Sequence, residues 1–329
     1  MSPILTVADL RVSFATEDGV VHAVDGVSFE VDAGEVVAVV GESGSGKSVT
    51  AQTLIGLTRA PNATISGSVT FDGRELTSLS DRELRGVRGE HIAMIFQDPM
   101  TSLNPVYRVG DQIAEMVRAH REVPKSEARA RAVELLRSVG IPNPERRVRD
   151  YPHEFSGGMR QRVMIAMALA LEPEVLIADE PTTALDVTIQ AQILRLLDTL
   201  NRDRNLSVVL ITHDLGVVAE LADRVVVMYA GQIVEDAPLE ELFYNPQHPY
   251  TWGLLGSIAR LDEARPERLR QIVGSPPSLL NPPTGCRFAA RCKFAFEKCT
   301  QPPTLEARVG NHGHLDRCWL SPAEKAASR

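Results

Sequence analysis

Five consecutive apolar residues, Val36–Val40, end abruptly at a glycine- and serine-rich stretch that begins at Gly41. A short run of β-branched residues with no polar face predicts a strand covered on both sides. Upstream, Leu5–Phe14 and Val24–Val31 mix apolar and polar positions in a two-residue alternation, which predicts an antiparallel flank. Downstream, Ile92–Ile95, Val175–Ala178, Val208–Thr212 and Arg224–Met228 predict further buried strands, and a helix is expected to open near Ser48. Between Pro99 and Leu171 the texture changes. Val109–Arg118, Ser126–Val139 and Arg160–Leu171 carry apolar residues at helical spacing, with no strand candidate among them. The whole pattern predicts an α/β fold with a mostly parallel sheet, an antiparallel flank and a helical subdomain over about residues 99–171. After Leu242 the periodicity dissolves, and nine prolines from Pro246 to Pro303 punctuate the chain. The expected division is a main domain over residues 1–245 and a small irregular extension over 246–329.

Composition narrows the function. The 329 residues are 43% hydrophobic and 24% charged, an ordinary globular balance with ample material for a core. The net charge of -8, without any block of Lys or Arg, gives no electrostatic support for nucleic-acid binding. No apolar run approaches the ~20 residues needed to cross a bilayer. The N-terminal MSPILTVADL lacks a basic flank followed by an apolar core, so no secretory signal is expected. The expectation is a cytosolic protein whose membrane association goes through a partner.

The first chemical motif follows the buried strand. Gly41–Ser48 reads GESGSGKS and fits the pattern G-x-x-x-x-G-K-[ST] between a strand and a helix, the context a phosphate-binding loop requires. Glycines let backbone N–H groups converge on phosphate oxygens beside a helix N-terminus. Lys47 is expected to reach the β- and γ-phosphates and the Ser48 hydroxyl to ligate Mg²⁺. Gly41, Ser43, Gly44, Gly46 and Val49 complete the nucleotide-binding set. A second apolar strand, Val175–Ala178, ends in Asp179 and Glu180. With a phosphate loop upstream, Asp179 is expected to hold Mg²⁺ and Glu180 to polarise a water for attack on the γ-phosphate.

A third element lies between these two. Phe155–Met159 reads FSGGM and is followed by RQRVMIAMALA, which resembles the LSGGQ signature of the ABC-transporter nucleotide-binding domain. A Ser-Gly-Gly turn opening a helix is another backbone anion site. The resemblance implies a P-loop NTPase core of the ABC ATPase type, in which Ser156, Gly157 and Gly158 bind ATP held by a second subunit. It also implies roles for Gln97, which matches the glutamine that contacts Mg²⁺ or the attacking water, and for Ala184-Leu185-Asp186, which matches the loop at the dimer seam. His213 matches the histidine that senses the γ-phosphate, and Phe14 the aromatic that stacks on adenine. Met159 stands where the signature usually has Gln. No comparable context supports His22, His91, His120 or His153.

The resemblance narrows further on Ile95–Glu115, on NPQHPYTWGLL (Asn245–Leu255) and on the tail GCRFAARCKFAFEKC. These look like the ATPase subunits of oligopeptide and dipeptide permeases, a subfamily that also includes nickel importers. That implies a di- or oligopeptide importer, with a sister ATPase subunit, two integral membrane permease subunits and an extracytoplasmic peptide-binding protein as partners. The chain would then lie at the cytoplasmic face of the cell membrane. A soluble ABC ATPase of DNA repair or translation is the competing class. The negative charge, the lack of a second cassette and the absence of a long coiled coil speak against it.

All four cysteines fall between Cys286 and Cys318. A reducing cytosol disfavours disulfides, and four thiolates can hold Zn²⁺ or an iron–sulfur cluster. Cys286, Cys292, Cys299 and Cys318 lack the paired C-x₂-C spacing usual for zinc ribbons. The permease resemblance implies a 4Fe–4S cluster, with zinc and plain reduced thiols as the alternatives. Because the ATP motifs all precede Glu220, changes at these cysteines are expected to loosen the extension before they disturb ATP contacts.

Overall fold

The computed structural model describes residues 2–183, 185–257, 272–307 and 313–328. They form two compact units, one of Met1–Val31, Val37–Thr77 and Thr212–Arg329 and the other of Asp32–Val36 and Ser78–Ile211. Strands are numbered in chain order.

The first unit carries an antiparallel sheet of β1 (Leu5–Thr16), β2 (Gly19–Val31), β4 (Ala63–Phe71) and β5 (Arg74–Glu75), in the order β2-β1-β4-β5. Leu5, Val7, Leu10 and Val12 of β1 and Val24, Val27, Phe29 and Val31 of β2 turn to the buried side. Register slips at Asp9, which takes φ +45, and Gly67 of β4 lies opposite this bulge. A Cβ on residue 67 would stand 2.4 Å from the Asp9 carbonyl oxygen, so only glycine lets β4 close on the bulge.

Within the same unit β3 (Val36–Val40) runs parallel to β9 (Arg224–Tyr229), which makes an antiparallel hairpin with β10 (Gln232–Pro238). The turn uses Ala230 at φ +47 and Gly231 at φ +82, the paired left-handed conformation that suits a two-residue hairpin. The short strand β11 (Leu315–Asp316) pairs antiparallel with β10, so residues near the C-terminus add to its edge. Tyr229, Tyr250 and Phe288 meet behind β9, with ring centroids 4.6–5.4 Å apart. They join Val40, Val225, Val227, Val234 and Leu242 in one apolar cluster.

The second unit holds three parallel strands, β6 (Ile92–Ile95), β7 (Val175–Asp179) and β8 (Ser207–Thr212), with β7 paired to both others. Every residue of all three is buried, as expected for strands covered on both faces. The helices Val109–His120, Lys125–Ser138 and Gly157–Ala168 stand where helical spacing places them. Val109, Ile113 and Val117 bury one face of the first against Ala128, Ala132 and Leu135 of the second. The fold is therefore the expected α/β class.

Four strands escape the sequence pattern: β4, β5, β10 and β11. β4 buries only Val69 and Phe71 and carries Ser66-Gly67-Ser68 at its centre. β10 buries Glu235 and Asp236 side by side, which no apolar pattern registers. Glu235 accepts hydrogen bonds from the backbone N–H groups of Gln247 and His248, at 2.5 and 2.9 Å, and meets His314 Nε2 at 2.7 Å. Asp236 takes both bonds of Arg224 Nη1 at 2.9 Å. The charges are hidden because their partners come from other elements. Replacing Phe288, only 4% exposed, by Ala should remove about 3–5 kcal/mol of stability. A denaturant titration of the purified chain checks it, and an unmoved midpoint would contradict the shared aromatic core.

Candidate functional site

Strand β3 delivers the chain directly into the loop Gly41–Ser48, and the helix Lys47–Leu54 follows. Two glycines there have no substitute. Gly41 takes φ +153, and a Cβ on it would meet the Met228 carbonyl oxygen at 2.1 Å. Gly46 takes φ +99, and its Cβ would meet the Ala23 oxygen at 2.4 Å. The helix starts from Gly46, which offers no side-chain cap to its first turn. Ser43 and Gly44 form the exposed tip. Lys47 is buried and lays its ammonium back across the loop, donating to the Gly41 oxygen at 2.8 Å and to the Glu42 oxygen at 3.0 Å. The Ser45 hydroxyl is buried without a hydrogen-bond partner. An uncapped helix start, a folded lysine and an orphaned hydroxyl are the donor set that a polyphosphate would satisfy. Ser48 and Val49 are half-buried in the first turn, Phe14 is half-buried on β1, and His213 is exposed just after β8.

Glu42 is held on three sides. Its N–H donates to the Tyr250 hydroxyl at 2.8 Å, its carbonyl accepts from Lys47, and its carboxylate takes a two-pronged pair from Arg291 at 2.6 and 2.9 Å. Sequence reasoning did not find Tyr250 or Arg291, and nothing in a sequence links positions 249 residues apart.

In the second unit Asp179 closes β7 and is 4% exposed. The next residue, Glu180, takes φ +48, a left-handed conformation that a side chain rarely adopts without compensation. Compensation comes from three bonds. The Glu180 N–H donates to the Ile211 oxygen at 2.8 Å, and Oε2 accepts from Gln97 Nε2 and from Thr183 Oγ1, each at 2.8 Å. The carboxylate is thereby aimed and fixed. Gln97 and Glu180, 83 positions apart, are brought together; Thr183 was not anticipated.

Ser156 caps the helix Gly157–Ala168, its hydroxyl accepting from the Met159 N–H at 3.4 Å. Gly157 has open space where a Cβ would be, whereas a Cβ on Gly158 would stand 2.5 Å from Ile189 Cγ2. Ile189 in turn donates its N–H to Asp186, the cap of the helix Val187–Arg204, at 2.9 Å. The signature turn and the segment around Asp186 therefore pack as one piece. Ala184 lies outside the described residues.

Cys286, Cys292, Cys299 and Cys318 all line one cavity, walled by Phe288, Phe294 and Trp319, and none forms a disulfide. Burial disfavours the thiolates of three of them, raising Cys286 and pushing Cys292 up to about 11 and Cys318 up to about 12. Among the described residues no group of three or more His, Cys, Asp or Glu side chains is placed to hold a metal ion. The four expected ligands are thus neighbours, but they are not drawn together around a single-ion site.

The sequence model of the family described as ABC transporter matches residues 24–183, and that of the oligopeptide/dipeptide transporter C-terminal region matches residues 234–299. The chain is 54% identical to the oligopeptide transport ATP-binding protein of Bacillus subtilis, over 96% of this chain and 88% of that one. It is 53% identical to the dipeptide transport ATP-binding protein of the same organism, over 97% and 95%. Among solved structures it resembles an ATP-binding cassette captured as a dimer in a post-hydrolysis state with ADP and phosphate. The TM-score is 0.65 at 28% identity, covering 71% of this chain and 98% of that one.

The close fit at Gly158 yields a directional expectation. Gly158→Ala should cut ATP hydrolysis by roughly tenfold or more, because the added methyl displaces the signature turn from Ile189. Ile189→Ala in the same chain should recover part of the loss by vacating that space. Steady-state turnover of the two variants in the assembled transporter checks it, and no recovery would discount the contact.

Proposed function

The chain belongs to the ABC transporter family, in its oligopeptide/dipeptide branch, and we propose that it is the ATP-hydrolysing subunit of an importer of di- and oligopeptides. The observation that carries the reading is Glu180, set in a left-handed turn at the end of a buried strand and clamped by Gln97 and Thr183. A carboxylate held in one orientation is suited to accept the proton of an attacking water.

On this reading the other residues take these roles. Gly41, Ser43, Gly44, Gly46 and Val49 supply backbone N–H groups to the phosphates, and Lys47 binds the β- and γ-oxygens. Phe14 stacks on adenine. Ser48, Asp179 and Gln97 would hold Mg²⁺, which would neutralise charge on the transferring phosphoryl group. His213 senses the γ-phosphate. Ser156, Gly157 and Gly158 close on the nucleotide of a second ATPase subunit, with Asp186 at the seam between them.

No helix among the described residues is long and apolar enough to cross a membrane. The partners that fit are a sister ATPase subunit, two integral membrane permease subunits and an extracytoplasmic peptide-binding protein, with this chain peripheral at the cytoplasmic face. The working division is a nucleotide-binding domain over residues 1–245, with its helical subdomain at about 99–171, and a C-terminal extension over 246–329.

We further propose that Cys286, Cys292, Cys299 and Cys318 ligate one iron–sulfur cluster in that extension; all four line one cavity with apolar walls, although they are not gathered as a metal-holding group. Bound there, such a group would supply thiolate–metal bonds that turn binding energy into order.

In the assembled transporter, with the sister site disabled, Glu180→Gln should keep ATP binding and lower turnover by roughly a hundredfold or more. Lys47→Ala should instead weaken nucleotide binding. Turnover of Glu180→Gln within a few-fold of the parent would remove the base assignment, and activity unmoved by any added peptide would remove the peptide reading. Protein purified without oxygen should contain about four irons per chain. One zinc per chain would replace the cluster by a single ion, and four alkylatable thiols without metal would remove both.

A further inference from the structure

The cysteine-bearing extension touches the phosphate loop at Glu42. Glu42 is the first variable position of Gly41–Ser48, and its carboxylate lies against Arg291, the residue immediately before Cys292. The Arg291 side chain is 5% exposed and that of Glu42 30%, so the pair is largely withdrawn from water. Arg291 is itself fixed. It donates to the Tyr229 hydroxyl at 3.3 Å and to the Ile272 carbonyl at 3.2 Å, and its guanidinium lies over the Tyr229 ring. Tyr250, fully buried in the aromatic cluster, accepts the Glu42 N–H at 2.8 Å.

The electrostatics of this arrangement are unusual for a loop that receives polyphosphate. A carboxylate in such a loop repels its ligand, and the repulsion is strong where water is scarce. A two-pronged guanidinium cancels that charge and adds two charge-assisted bonds that fix the side chain. The Glu42 carbonyl meanwhile receives Lys47 and the Ser45 N–H, at 3.0 and 3.2 Å. Any shift of residue 42 therefore moves the partners of the lysine that has to meet the phosphates.

We propose that Arg291 and Tyr250 are positioning residues for ATP binding, which neutralise and clamp Glu42 so that the extension sets the nucleotide affinity of the phosphate loop. Neither touches the nucleotide; both act through Glu42. The proposal rests on the ATPase reading above. It also gives the extension a direct route to the ATP loop, which motif positions in the sequence do not suggest.

The test is steady-state ATPase kinetics of the full transporter in lipid vesicles, with ATP varied. Arg291→Gln should raise KM for ATP by roughly tenfold, as expected when a buried charge loses its hydrogen-bonded partner, and leave kcat within about twofold. Adding Glu42→Gln to that chain should bring KM back most of the way, because the uncancelled carboxylate is then gone. Tyr250→Phe should raise KM by only about threefold, the cost of one neutral hydrogen bond. Arg317→Gln is the control for general loosening. Arg317 ties the extension to Ile233 at 2.7 Å and braces it internally at Pro303 at 3.1 Å, so its loss should lower the melting temperature without moving KM. A KM for Arg291→Gln within twofold of the parent, or a double variant no better than the single, would overturn the proposal. If Arg291→Gln does not assemble, Glu42→Gln alone decides, since an unchanged ATP affinity and melting temperature there would deny the pair any role. A parent complex that hydrolyses no ATP would instead fail the ATPase reading itself.

Discussion

A phosphate loop has to turn its backbone N–H groups toward an empty space, and it cannot hold that shape by itself. Here the shape is imposed by neighbours. The Met228 oxygen of β9 and the Ala23 oxygen of β2 come so close to residues 41 and 46 that only glycine fits. The Gly231 N–H, from the β9–β10 turn, donates to the Ser45 oxygen at 2.9 Å. The parallel β3–β9 pairing, Val37 opposite Arg224 through Val40 opposite Val227, delivers these groups to the loop. Loop geometry is thus a property of the strands on which it sits, and the apolar character of those strands is what allows backbone to approach backbone so closely.

The carboxylate side follows the same logic with other means. β7 is buried from end to end, so the chain leaves it at a defined point, and Glu180 is forced into a left-handed turn there. Such a conformation persists only when surroundings over-determine it. The Ile211 oxygen on β8, Gln97 after β6 and Thr183 within the turn do so. Three consecutive parallel strands therefore converge, through one residue each, on the orientation of a single side chain.

The C-terminal extension is stabilised differently, by buried charge. Glu235 collects two backbone N–H groups and His314, and Lys325 Nζ stands 2.7 Å from Asp316 Oδ1 with both side chains inaccessible. Such pairs give modest net stability but are costly to break one at a time, so they specify a unique arrangement. Arg287 reaches Ala230 and Asp25, and Arg291 reaches Glu42, which makes the Cys286–Cys292 segment a bracket on the nucleotide-binding core.

The sequence by itself determined the chemistry and the class of fold. Runs of β-branched residues, helical spacing between Pro99 and Leu171, and the ordered motifs at Gly41–Ser48, Gln97, Phe155–Met159, Asp179-Glu180 and His213 were legible because each is local. A strand emptying into a glycine loop carries its function in a few adjacent residues. What only the tertiary structure decided is how those motifs are held. β10 was invisible because Glu235 and Asp236 are neutralised by residues from other elements. Thr183 gave no sign beside Glu180, since a hydroxyl announces its acceptor only when the turn is formed. The bond from Arg291 to Glu42 was equally silent, because it spans 249 positions and depends on the Tyr229–Tyr250–Phe288 cluster. Local pattern records which backbone a segment prefers, whereas a buried charge is tolerated only where another part of the chain meets it, and that meeting exists only in the folded molecule.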